Sequence, residues 1–301
     1  LTHLSGRWGY EYQMNVTKLT QGLKTIQTKD LRSYGSSFFA IRPEGEQEET
    51  CGEVWFGSLQ YSGNWRMDFE KYAPGEVQVT GGINFWDQLL VLQPGKSFTT
   101  PKMMIGYTNR GMEGVSQNLA SFTREKVLYP SHRDQVRPVL YNSWYATTFD
   151  VNEEHQLALA KIAKDLGVEV FVIDDGWFKG RINDKGGLGD WTVDKNKFPN
   201  GLQPMIEKIN ALGLDFGIWI EPEMVNPDSD LYRAHPDWIL HSNGRQSSLV
   251  RNQYTLDLSR KDVCDYITEA VSAVLNKANI EYVKWDMNRY MSEVGSAEIP
   301  A

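Results

Sequence analysis

Three stretches in the second half of this 301-residue chain follow one course: LGVEVFVIDDGW (166–177), LGLDFGIWIEPEM (212–224) and ANIEYVKWDMN (278–288). Each passes from a helix-ending residue through a short apolar, β-prone run to one or more acidic residues. Between them lie segments of helical period. The first, 152–166, places Leu159, Ile162, Ala163 and Leu166 at i, i+3, i+4 and i+7, with Gly167 as its stop. The second places Leu202, Met205, Ile206 and Ile209 on one face and ends at Gly213. The third follows Ser259, a good N-cap residue, and aligns Val263, Ile267, Ala270, Val271 and Val274. Strand and helix in alternation predict a parallel sheet covered by helices, and such sheets carry their chemistry at the carboxyl ends of the strands. Asp174, Asp175, Glu221 and Asp286 should therefore converge on one rim.

Residues 1–130 have a different grammar. Short β segments such as SSFFAI, EVWFGSLQYSG, EVQVTGG and KSFTTPKMMIGYT are separated by turn residues, which predicts a β-sandwich domain. A connecting helix is expected over 114–130, and Pro130 and Pro138 bracket the change to a second domain, 131–301. The formal net charge of −8, with no basic cluster on a predicted helix, argues against nucleic acid or an anionic membrane as partner and favours a neutral substrate. No apolar run reaches the length of a membrane span. Only two cysteines occur, Cys51 and Cys264, in unlike segments, so free thiols and a reducing, cytoplasmic compartment are expected. The chain begins at Leu1 without methionine, as expected of a piece of something longer.

On the rim, Lys284 and Asp286 stand two apart on one strand and should share a face, with Trp285 on the other. A neighbouring cation favours an ionised carboxylate, which is what attack on an oxocarbenium-like sugar carbon requires. A structural ion pair at a strand end is the competing explanation. Asp174 and Asp175 repel one another and need outside compensation from hydroxyl donors, a cation or water. Trp219 should share a face with Glu221, where an indole can cover the C–H patches of a pyranose. Arg251 and Asn252 precede another short strand and could bring a fixed cation to the rim. No metal is expected, because Lys284 competes for the acidic rim and none of the histidines falls at a strand end. GGLGDW (186–191) lacks the phosphate-loop pattern and is read as a loop over the rim.

At these residues the chain resembles the α-galactosidases of glycoside hydrolase family 36. The stretches that carry the resemblance are NSWYATTFD, FVIDDGWF, LGDWTVDKNKFPNGL, GIWIEPEMVNPDSDLYRAHPDW, RNQYTLDLS and YVKWDMNR, spanning 141–289, with GRWGYEY and GEVWFGSLQYSGNW as weaker matches upstream. The resemblance implies a β-sandwich domain followed by a catalytic (β/α)8 TIM barrel, and a retaining, exo-acting hydrolysis of terminal α-linked galactose from oligosaccharides such as melibiose or raffinose. It implies Asp286 as nucleophile and Lys284 as a donor to sugar hydroxyls beside it. Asp174 and Asp175 would bind the hydroxyls that distinguish galactose from glucose, Trp144 and Trp219 would wall the site, and Arg251 and Asn288 would complete its polar lining. It also implies no cofactor, and a homo-oligomer. The family's acid/base carboxylate lies well beyond the KWD motif, and the stretch from Pro138 falls short of the ~250 residues of a typical barrel. The expectation is thus a barrel truncated after roughly half its strands, inactive by itself. Galactosyl transfer, α-N-acetylgalactosaminidase activity and a non-catalytic carbohydrate-binding protein remain as alternatives.

Overall fold

The structure, a computed structural model, describes residues 1–29, 34–45, 49–86, 89–242, 245–292, 295, 296 and 298. The chain divides into two compact units, Leu1–Gln135 and Val136–Ala301. The division falls slightly later than the sequence boundary at 130.

Among the described residues the first unit holds eight strands: β1 (Thr2–Arg7), β2 (Tyr10–Val16), β3 (Gly22–Gln27), β4 (Gly35–Ile41), β5 (Val54–Gln60), β6 (Trp65–Ala73), β7 (Glu76–Ile83) and β8 (Lys102–Thr108). They form a five-stranded sheet, β2-β1-β4-β5-β8, and a three-stranded sheet, β3-β6-β7, with every pairing antiparallel. Strand β6 shows why these residues make a half-buried strand. Trp65, Met67 and Phe69 are buried, whereas Arg66 and Asp68 between them are only partly covered. Those three side chains and Ile26 meet Phe39 and Leu59 of the larger sheet in one core, and Phe69 packs edge-on against Phe39 at 5.2 Å. The hairpin β1–β2 lies outside the β segments named from the sequence; its alternating Tyr10, Tyr12, Met14 and Val16 are all exposed. Helix α1 (Gly111–Phe122) starts earlier than the expected 114–130 and gives way to one π-helical turn over Thr123–Val127. It anchors through Val115 against Ala40, Val54 and Phe56.

The second unit is built on a parallel sheet in the order β14-β11-β10-β9, formed by β9 (Leu140–Asn142), β10 (Val170–Ile173), β11 (Asp215–Ile220) and β14 (Tyr282–Trp285). Its helices are α2 (Trp144–Thr147), α3 (Glu153–Asp165), α4 (Gln203–Ala211), α5 (Asp230–Ala234) and α6 (Lys261–Leu275), with a small antiparallel pair, β12 (Met224–Val225) and β13 (Tyr254–Thr255). Both expected glycine stops adopt the left-handed conformation that ends a helix, Gly167 at φ 84° and Gly213 at φ 78°. Helices α4 and α6 bury the predicted faces.

Two details differ. Helix α3 buries Gln156, Ala160 and Ala163, while Ile162 and Leu166 are exposed at 57% and 79%. Its small side faces the core, since alanines permit close approach to the sheet. Ser259 does not cap α6: Arg260 holds that position without a side-chain cap, and the Ser259 hydroxyl donates instead to Asp257 Oδ1 at 2.6 Å. Among the described residues no helix is long and apolar enough to cross a membrane, and both cysteines are free thiols.

Candidate active site

The parallel register brings the chemistry together at one end of the sheet. Ser143, just past β9, receives the Asp174 N–H on its hydroxyl at 3.0 Å, which draws the end of β10 toward that of β9. Asp174 Oδ2 accepts from Asn142 Nδ2 at 2.6 Å and from Lys284 Nζ at 2.7 Å, and its Oδ1 accepts the Asp175 N–H at 2.8 Å. Lys284 reaches Asp174 across β11, because Trp219 is its register partner and β10 lies on the far side. This corrects the expected pairing: the carboxylate on Lys284 is Asp174, 110 residues away, rather than Asp286 on its own strand. Ile173 is the register partner of Ile218, so the next residues, Asp174 and Trp219, continue the row to Lys284 and the ammonium meets the carboxylate from two strands over.

Asp175 takes the second cation. Its two oxygens receive Arg181 Nε at 2.8 Å and Nη2 at 2.7 Å, with the two side chains only 7% and 2% exposed. Arg181 Nη1 continues to Gly186 O and Asn226 Oδ1. Burial pushes the Asp175 carboxyl above its ordinary range, the guanidinium pulls it back, and the Asp174 charge raises it again. The compensation that the paired aspartates demand thus comes from two protein cations. Lys197 secures the loop that follows, donating to the carbonyls of Phe149 at 2.8 Å, Gly176 at 2.6 Å and Arg181 at 3.0 Å.

Asp286 stands just beyond β14. Its N–H donates to Ile220 O at 2.8 Å, Oδ1 accepts the Met287 N–H at 3.0 Å, and Oδ2 accepts from Trp219 Nε1 at 2.9 Å and Asn288 Nδ2 at 2.8 Å. Trp219 is almost completely buried, stacked on Phe178 with ring centroids 6.2 Å apart, so its N–H is aimed rather than free. Trp144 sits at the start of α2, partly covered and edge-on to Phe149 at 5.1 Å. Arg251 and Asn252 are the central residues of a two-residue turn closed by Val250 and Gln253, with φ of 54° and 60°. That turn demands positive φ at both positions, which asparagine tolerates and arginine does not favour. From it Arg251 Nη1 donates to Asn288 Oδ1 at 3.0 Å.

Glu221 directly follows β11 and is completely buried. One oxygen accepts the Asn288 N–H, and the other accepts Gln253 Nε2 at 3.2 Å and Asn288 Nδ2 at 3.3 Å. Burial pushes its pKa up to about 7 against the pull of those Asn288 donors, and the Asp286 charge adds to the rise. A carboxyl raised above its ordinary value of 4.5 holds its proton more tightly folded than unfolded. Its contribution to stability is therefore complete below pH 4.5 and lost as pH rises through about 7. The unfolding free energy of the native protein, measured by urea titration, should accordingly fall relative to that of a Glu221→Gln variant across this window. A pH-independent difference between the two would refute that assignment.

Among the described residues no group of three His, Cys, Asp or Glu side chains is placed to hold a metal ion. The glycine-rich loop 186–191 packs on the segment after β12: Gly187 N donates to Asp228 O, Leu188 N to Asn226 Oδ1, and Asp190 receives the N–H groups of Asp230 and Leu231. Sequence reasoning missed Asn142, Arg181, Lys197 and Asn226. Arg181 alone had a signal, as the nearest basic side chain but one after the aspartate pair.

Two family models match the chain, the glycosyl hydrolase family 36 N-terminal domain over residues 1–93 and Melibiase over residues 97–301. The chain is 45% identical to α-galactosidase AgaA of Geobacillus stearothermophilus over 99% of its own length and 41% of that protein's. It is 38% identical to α-galactosidase Mel36A of Lactobacillus acidophilus, again over 99% of this chain and 41% of the relative. The crystal structure of AgaA superposes with a TM-score of 0.96, covering 99% of this chain and 42% of that one. Variants of AgaA crystallised with raffinose and with stachyose, each 44% identical to this chain, also superpose at 0.96 over 99% of this chain and 42% of theirs. The chain thus spans about 41% of the length of these two curated relatives.

Proposed function

The chain belongs to glycoside hydrolase family 36, and on that premise we propose that the full-length protein is a cytoplasmic, retaining, exo-acting α-galactosidase. The observation that carries this reading is the placement of Asp286: a carboxylate at a parallel strand end, fixed by an indole and an amide, with Lys284 of the same strand paired to Asp174 two strands away. Raffinose and stachyose, the sugars held by the AgaA variants, both end in α-linked galactose and represent the substrate class. The sheet is read as the first part of a (β/α)8 barrel, with β9 and β14 as its open edges. Apolar surface at those edges supports this, since Leu140 is 39% and Trp285 54% exposed. Free thiols, Cys51 being exposed, suit a reducing compartment.

In this mechanism Asp174 accepts from galactose hydroxyls while Lys284 donates to them, and the charge on each strengthens those hydrogen bonds. Asp175 keeps lone pairs beyond the two that Arg181 engages, and Trp144 covers an apolar face of the ring. Asp286 attacks the anomeric carbon as the glycosidic bond breaks, giving a covalent glycosyl-enzyme that water then hydrolyses. The leaving oxygen takes its proton from a carboxylic acid roughly 5–5.5 Å from the nucleophile. Glu221 has a pKa suited to that task but not the access, being fully buried with donors on both oxygens. The acid is therefore assigned outside the described strand ends.

The test is treatment of the full-length protein with a slow fluorinated α-galactosyl donor, followed by peptide mass spectrometry, alongside an assay on an aryl α-galactoside. Turnover and a label on Asp286 are expected. A label on Asp174, Asp175 or Glu221 would overturn the assignment of the nucleophile, and no turnover would overturn the reading as a whole.

A further inference from the structure

The two oxygens of Asp286 are not equivalent. Oδ2 receives two side-chain donors, Trp219 Nε1 and Asn288 Nδ2, whereas among the described residues Oδ1 receives only the N–H of the adjacent Met287. Asn288 is in turn a junction. Its Oδ1 accepts from Arg251 Nη1 at 3.0 Å, and its NH₂ group points to Asp286 Oδ2 at 2.8 Å and Glu221 Oε2 at 3.3 Å. Its own N–H is also bound to Glu221, so main chain and side chain both hang on that one carboxyl group. Turned by half a rotation, the amide would set its carbonyl against two carboxyl groups and its NH₂ against a guanidinium. The donors and acceptors around it admit only one orientation.

Glu221 cannot adapt to a different arrangement. It is completely buried, and Gln253 Nε2 at 3.2 Å completes its set of donors. A buried polar group with a complete set of partners is rigid, because moving it would leave a donor unmatched in a water-free place.

We propose that Glu221 is a positioning residue for the nucleophile: acting through Asn288 it holds Asp286 Oδ2 in place, and so leaves Oδ1 as the oxygen that bonds to the sugar. This rests on the α-galactosidase reading above. In the first step an electron pair of Oδ1 forms the ester bond to the anomeric carbon. The bond from that carbon to the glycosidic oxygen breaks, and its electron pair leaves on the oxygen, which takes the proton of the general acid. In the second step water bonds to the anomeric carbon, its proton passes to the same group now acting as base, and the Oδ1–carbon electron pair returns to Asp286. Oδ2 serves as the ester carbonyl oxygen throughout, keeping the donors of Trp219 and Asn288. Orientation of this kind acts on the chemical step, since a misplacement of about 1 Å can cost on the order of 10²-fold in rate.

The experiment compares wild type, Glu221→Gln, Asn288→Ala and the double variant in the full-length protein on an aryl α-galactoside. Glutamine keeps the volume of Glu221 but turns an NH₂ group toward donors of Asn288 or Gln253, so kcat should fall about 10²-fold. KM should change far less, because the side-chain hydrogen bonds of Asp174 and Lys284 run to each other, Asn142 and Asp175 rather than to Glu221. The labelling rate of Asp286 by the slow fluorinated donor should fall by the same factor as kcat. The double variant should lose no more than Asn288→Ala alone, since without the amide Glu221 has no side-chain path to Asp286 Oδ2. Wild-type kcat in Glu221→Gln, or losses that multiply in the double variant, would overturn the proposal. If a melting curve shows Glu221→Gln unfolded, Glu221→Asp, which keeps the carboxyl group and withdraws the oxygens by one methylene, takes its place with the same expectations. An inactive wild type would overturn the α-galactosidase reading, whereas an active wild type with an indifferent Glu221 variant would overturn this inference alone.

Discussion

Asp286→Ala in the full-length protein is expected to lower kcat on an aryl α-galactoside by on the order of 10⁴-fold or more, the scale on which loss of a covalent nucleophile is felt. Added azide is expected to restore turnover and to yield β-galactosyl azide. The substitution deletes the group proposed to stand at one face of the sugar while leaving Trp219 and Asn288, the donors that surrounded it. A small anion can enter the vacated space and attack from the same side. Because nothing then displaces it, the product keeps the inverted configuration of a single substitution. The lysine nearby does not depend on Asp286: its salt bridge is to Asp174 at 2.7 Å, so the hydroxyl-binding side of the site should survive the change. Proton NMR of the product reads the configuration directly. An α-azide, or a variant as active as wild type without azide, would remove Asp286 from the role of nucleophile.

Arg181→Met is expected to cost about 3–5 kcal/mol of stability, the penalty for breaking a buried ion pair by removing one partner. The side chains of Arg181 and Asp175 are 2% and 7% exposed and joined by two hydrogen bonds. Without the guanidinium, Asp175 would be a buried carboxylate beside Asp174, and the carbonyl of Gly186 and the side-chain oxygen of Asn226 would each lose a donor. The cost therefore exceeds what a surface pair would show, typically below about 1 kcal/mol. Asp175→Asn combined with Arg181→Met should recover part of the loss, because a neutral amide is far cheaper to bury than a charge. Urea denaturation of the single and double variants measures both effects. A loss on the surface-pair scale, or a double variant less stable than Arg181→Met alone, would contradict the buried-pair account.

Much of the second unit could be read from the chain by eye. Helices α4 and α6 bury the faces that their spacing predicts, and Gly167 and Gly213 end helices where they stand. The strand-to-acid units place Asp174, Asp175, Glu221 and Asp286 at the ends or just beyond the ends of β10, β11 and β14. These features depend on residues within a turn or two of one another, and the periods of helix and strand write such relations into the sequence directly. Helix α3 shows the limit. Its apolar spacing favours Leu159, Ile162, Ala163 and Leu166; Ala163 is buried, yet Ile162 and Leu166 are exposed while Ala160, off that face, is buried. Which side meets the sheet was decided by how closely the helix approaches it.

The partnerships were decided by tertiary structure alone. Lys284 stands two residues from Asp286, but its ammonium is bound to Asp174, because strand register brings side chains two strands apart into one layer. Asp175 is held by Arg181, and the Asp286 carboxylate is held by Trp219, 67 residues earlier, as well as by nearby Asn288. Glu221 illustrates the deepest difference. Its identity as an acidic strand end is plain in IEPEM, while its elevated pKa and its three hydrogen-bond contacts arise from burial among residues that include Gln253, Asn288 and Asp286. A local pattern can specify which way a side chain points along its own strand. The dielectric and the charges that it meets there are sums over the whole surrounding chain, and only the folded arrangement sets them.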